Sequence, residues 1–121
     1  MEADPDWALL SFSFAGIWEI APQALEETAK EVQIVDVREP SEFTGSLGHI
    51  AGARLIPLGD LQARAHEIAR DQPVVTVCRA GSRSAQAFNL LRAAGFPNVA
   101  NLAGGMLRWR AEGFPVEGGA G

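Results

Sequence analysis

The chain has one cysteine, Cys78, in 121 residues. A single cysteine excludes an internal disulfide and any zinc site built from several thiolates, so a reducing compartment is expected. Its two histidines, His49 and His66, stand at no metal-ligand spacing, and no metal is expected. No apolar run approaches the ~18–20 residues that span a bilayer. The first residues, MEADPDW, carry three acids and no base, which argues against a secretory signal. A soluble, cytoplasmic protein with no membrane partner is the expectation. Acid is missing from one long stretch: residues 72–111 hold none, although Arg79, Arg83, Arg92, Arg108 and Arg110 all fall there. The net charge is nonetheless −5, which disfavours nucleic acid as a partner. An acidic protein with a locally basic cysteine segment suggests a small anionic substrate.

What is present fits one ordinary globular domain, with 47% apolar and 21% charged residues. Residues 1–16 read as an N-terminal extension whose Trp7, Leu9, Leu10, Phe12 and Phe14 suit packing or association. Residues 17–20 make a short strand, and Pro22 suits the first position of a helix running through Lys30. VQIVDV (32–37) is nearly continuous in apolar and β-branched residues, as a buried parallel strand requires. A helical turn near 41–43 and a strand over 53–58 follow. Asp60 is placed to cap a helix with Leu61, Ala65 and Ile68 on one face. VVTV (74–77) is the next strand, SAQAFNLLRAAG (84–95) a helix with Ala85, Phe88, Leu90 and Leu91 on one face. A strand over 99–102 and a helix from Gly104-Gly105 to Gly113 complete the domain, and 118–121 read as a flexible tail. Alternating strands and helices predict an α/β domain with a central, mainly parallel five-stranded sheet flanked by helices.

In such sheets ligands bind beyond the carboxyl ends of the strands. Cys78 sits one residue past VVTV and a few residues before a helix. A buried, inert cysteine is the commoner use of a lone thiol and predicts apolar residues on both sides. Only the N-terminal side is apolar here; RAGSRS follows. Ala80 and Gly81 allow a tight curl, and Gly81 permits positive φ. The curl would aim several backbone N–H groups at the sulfur from a helix N-terminus. With Arg79 and Arg83 nearby, that setting would hold Cys78 as a nucleophilic thiolate.

CRAGSRS resembles the C-x-x-G-x-R-S active-site loop of single-domain rhodanese-family sulfurtransferases. VDVREPSEF (35–43), LGHIAGARLIPL (47–58) and NLAGGMLRWRAEGFPV (101–116) resemble three further segments of that family, in order and at its spacing. The resemblance covers about residues 18–116, within a rhodanese-like domain placed at 17–117. It implies a rhodanese-like fold and thiosulfate sulfurtransferase activity without a metal or organic cofactor. Cys78 would take a sulfane sulfur from thiosulfate or a related anionic donor and hold it as a persulfide. Cyanide, a small thiol or a protein thiol outside the chain would then accept it. The loop Arg79, Ala80, Gly81, Ser82, Arg83 and Ser84 would bind the thiolate and the substrate. Asp36 and Arg38 would support that loop, with Asp36 against a loop arginine.

Two other readings compete. A rhodanese-fold interaction or sensing module would keep the fold without the chemistry, but it has no need of an intact reactive loop. Phosphatases and arsenate reductases of the same fold resemble H-C-x5-R; here the spacing is C-x4-R, and Val77 stands at the histidine position. For single residues the structural use is weighed against the functional one. Arg83 suits an ion pair at a helix start, whereas Arg79 suits recognition of the donor. Ser82 and Ser84 suit helix capping more than sulfur contact. His49 reads as structural, His66 as exposed, and Trp109 as core or pocket wall.

Overall fold

The structure is a computed structural model that describes residues 10–12 and 16–119. The side chains of Trp7, Leu9, Leu10, Phe12 and Phe14 and the last two residues of the tail lie outside the described residues. The strands are β1 (Leu10–Phe12), β2 (Trp18–Ile20), β3 (Gln33–Asp36), β4 (Arg54–Leu55), β5 (Val74–Val77) and β6 (Val99–Leu102). The helices are α1 (Pro22–Thr28), α2 (Pro40–Phe43), α3 (Leu61–Arg64), α4 (Ser82–Ala93) and α5 (Gly105–Ala111).

The sheet order is β1-β2-β6-β5-β3-β4. The five strands from β2 to β4 in that order run parallel, as the alternation of elements requires. β1 adds a sixth strand, antiparallel to β2, in a stretch the sequence reading left in an extension. β5 and β6 are buried at every position, and their bounds coincide with the sequence expectation. β4 is shorter than 53–58, with only two residues in register with β3 before the chain reaches Pro57. Asp60 does not cap α3: residues 58–60 already form a 3-10 turn that runs straight into the helix, so there is no free N-terminus to cap.

Side chains alternate along each strand, so one strand feeds two cores. On one face Val35, Val74, Val99 and Cys78 pack with Leu61 of α3 and Ala87, Phe88 and Leu91 of α4. On the other face Ile20, Ile34, Val75, Val77, Ala100 and Leu102 meet Leu25 of α1 and Met106 and Trp109 of α5. After β3 the chain crosses to the outer strand β4; after β5 it crosses the other way to β6. The carboxyl ends of β3 and β5 therefore flank the switch point where open α/β sheets place their chemistry. Among the described residues no helix is long and apolar enough to cross a membrane.

Candidate active site

Cys78 leaves β5 at the switch point with 2% of its surface exposed. By strand alternation its side chain follows Thr76 and turns toward α4. Gly81, at φ +116°, ends the curl and forms the N-terminal boundary of α4. Its N–H donates to the Cys78 Sγ at 3.1 Å. The Ser84 hydroxyl lies 3.2 Å from the same sulfur and in close hydrogen-bond contact with the Asn101 Oδ1. The expected ring of several backbone donors is thus one backbone N–H and one hydroxyl among the described contacts. Both lie at the positive end of a 12-residue helix, which favours negative charge on the sulfur.

The loop is also held from behind. Val37 N–H donates to the Val77 carbonyl, Met106 N–H to that of Cys78, and Leu107 N–H to that of Arg79, each at 2.9 Å. Such an approach leaves no room for a side chain on Gly105. A Cβ there would stand 2.5 Å from the Arg79 oxygen and 2.6 Å from the Cys78 oxygen.

The two loop arginines part company. Arg83 forms a two-pronged ion pair with Glu42, at 2.7 and 2.8 Å, the contact that its place at a helix start suits. That guanidinium, with help from the Glu39 N–H, holds the Glu42 carboxyl down to about 2 against its usual 4.5. Arg79 is exposed and has no carboxylate partner among the described residues. It lines a shallow pocket of about 260 Å³ with Arg38, Ser41, Glu42, Gly45, Ser46 and Leu47. Ala80 and Ser82 are exposed, and α4 starts at Gly81 without a side-chain cap. The capping expected of Ser84 is replaced by its contacts with the sulfur and Asn101, because it is the third residue of α4 rather than its N-cap and is buried against the sheet.

Asp36 does not meet a loop arginine. Arg38 takes it instead, Nε to Oδ1 at 2.9 Å and Nη2 to Oδ2 at 2.7 Å, and both residues are fully buried. Adjacency explains this outcome: Arg38 lies two residues past the end of β3, where its own N–H also donates to the Asp36 Oδ1. Arg38 also donates to the carbonyls of Glu42 and Gly48. The pair therefore braces residues 42–48, and through Glu42 it is linked to Arg83 of the cysteine loop.

His49 is structural in its contacts, stacked on Phe43 at 3.8 Å with Nδ1 on the Phe43 carbonyl. His66 is exposed, and Trp109 is core, its Nε1 donating to the Pro115 carbonyl. Among the described residues no group of three or more His, Cys, Asp or Glu could hold a metal. Two residues escaped the sequence reading. Asn101 is a buried polar residue in the strand VANL, and that contrast was its only signal. Glu42 is 41 residues from Arg83 and carried none.

Five parallel strands of an α/β sheet thus deliver one thiol from a strand end into a short loop at a helix start. The chain belongs to the rhodanese-like domain family, whose sequence profile matches residues 21–112. It is 38% identical over 94 residues to a sulfurtransferase of Allochromatium vinosum, covering 78% of this chain and 85% of that protein. It is 46% identical over 80 residues to the Bacillus subtilis protein YqhL, covering 66% of this chain but only 62% of that relative's length. The fold matches a rhodanese-related protein from Thermoplasma volcanium with a TM-score of 0.75 at 34% identity, over 80% of this chain and 94% of that one.

Proposed function

We propose that the protein is a sulfurtransferase that carries sulfane sulfur as a persulfide on Cys78. The observation that carries this reading is the sulfur itself, at the carboxyl end of β5, contacted by the Gly81 N–H and the Ser84 hydroxyl at a helix N-terminus. The name of the Allochromatium relative supports the same chemistry. Cys78 loses its proton and its thiolate attacks the outer sulfur of thiosulfate. The sulfur–sulfur bond of the donor breaks, and sulfite departs with the electron pair. An acceptor nucleophile, cyanide or a thiolate, then attacks the outer persulfide sulfur and returns Cys78 to its thiolate. With one cysteine in the chain, that acceptor is external. Gly81 and Ser84 stabilise the anionic sulfur in a site shielded from water, where fixed dipoles act strongly. Arg79, exposed and without a carboxylate partner among the described residues, meets the anionic donor.

Intact-mass measurement after incubation with thiosulfate tests the reading. The expected result is one added sulfur atom, removable by cyanide and absent in Cys78→Ser. No adduct with thiosulfate or any polysulfide sinks it, and turnover of an aryl phosphate instead would point to phosphatase chemistry.

A further inference from the structure

The proton of Ser84 has two claimants. Its Oγ contacts the Cys78 Sγ at 3.2 Å and lies in close contact with the Asn101 Oδ1, yet a hydroxyl has one hydrogen to give. The orientation of Asn101 is fixed by its other end. Its Nδ2 faces the Gly81 carbonyl and a Glu19 carboxylate oxygen, both at 3.3 Å. Turning the amide over would set Oδ1 against two acceptors, so Oδ1 faces Ser84. The arrangement is rigid: Asn101 pairs in register with Thr76 across β5 and β6, and the Thr76 hydroxyl donates to the Ser84 carbonyl at 2.9 Å. Ser84, Asn101 and Thr76 are all buried, so water does not supply the missing donor.

We propose that Asn101 is a positioning residue that competes with Cys78 for the Ser84 proton and thereby sets how readily the thiol ionises. This rests on Cys78 being the reactive thiol. While the sulfur is protonated, its S–H donates to the Ser84 Oγ and the Ser84 O–H donates to Asn101. On ionisation the Ser84 proton turns to the sulfur, and the two oxygens left facing each other oppose that turn. Asn101 thus restrains thiolate formation that Gly81 and the α4 N-terminus promote. The charged groups around the site are Arg79 and Arg83 on the loop and α4, Asp36 and Arg38 at and just past the end of β3, Glu42 in α2, and Glu19 on β2. All of them are unchanged in the variants below.

The test is a pH titration of the thiolate ultraviolet absorbance. With one cysteine and no tyrosine, that band is free of tyrosinate, and Cys78→Ser gives the blank. Ser84→Ala removes a donor from the thiolate, so its midpoint rises. Asn101→Leu frees the Ser84 proton, so its midpoint falls by about half to one pH unit, the size of one hydrogen bond. In the Ser84→Ala background Asn101→Leu has little further effect. A structural role for Asn101 predicts instead that both single variants shift the same way, and that result, or no shift in Asn101→Leu, overturns the proposal. Should the leucine variant not fold, Asn101→Asp keeps the size and an acceptor toward Ser84. Its midpoint rises, and by less when Ser84 is alanine; equal rises in both backgrounds overturn the proposal. The titration uses no sulfur donor, so a failure of persulfide loading bears on the proposed function alone.

Discussion

Two buried polar clusters stand at the same edge of the sheet and behave as opposites. At the end of β3, Asp36 and Arg38 form a closed ionic cluster, with each guanidinium nitrogen committed to the carboxylate or to the carbonyls of Glu42 and Gly48. At the end of β5, Cys78, Ser84 and Asn101 form a cluster with fewer protons than acceptors. The first has a single satisfied arrangement and is a brace. The second sets one hydroxyl proton between two acceptors, which suits a group proposed to change charge during a reaction. Burial alone does not separate scaffold from site; the count of donors against acceptors does.

Breaking the brace should have the largest effect. Arg38→Ala leaves the Asp36 carboxylate buried without its partner and is expected to cost about 3–5 kcal/mol in denaturant unfolding. Loss below 1 kcal/mol would mean the two clusters differ less than their contacts indicate.

Arg79→Ala sharpens the comparison from the reactive side. An exposed cation that meets the donor affects rate rather than fold. Thiosulfate loading should slow about tenfold, the equivalent of roughly 1.4 kcal/mol, with unchanged stability. Its dependence on salt should flatten as well, because a screened attraction has been removed. Slower loading with unchanged salt dependence would reassign Arg79 to shaping the loop.

The smallest effect lies in the link between the clusters, Arg83 with Glu42. The folded Glu42 carboxyl is held at about 2, below its usual 4.5. Its contribution to stability is therefore complete above pH 4.5 and is lost as pH falls toward 2. Glu42→Gln should remove that part of the acid limb of an unfolding curve. At neutral pH it should cost no more than about 1 kcal/mol, since both partners are partly exposed and solvent screens them. An acid limb identical to the parent's would place the pair outside the energetics.

Local pattern made much of this legible. VVTV and VANL occupy the strands that their apolar runs imply, and RAGSRS marked the thiol because it is a poor continuation of a core. Partners distant in sequence were not legible. The family resemblance sets Asp36 against a loop arginine, whereas the fold brings Arg38, two residues along, onto that carboxylate. Ser84 read as a cap because serine near a helix start usually is one; its partner Asn101 lies 17 residues away and is set by the pairing of β5 with β6.

The amides of Met106 and Leu107 grip the carbonyls of Cys78 and Arg79 from the opposite face of the sheet, and Gly105 makes that approach possible. The peptide planes around Cys78 are therefore clamped by the fold itself. In the proposed sulfur transfer, what is left to move between thiol and persulfide is a side-chain torsion and the swing of one hydroxyl. The ordering entropy of the loop is spent during folding, so under that proposal each turnover begins with the cradle already assembled.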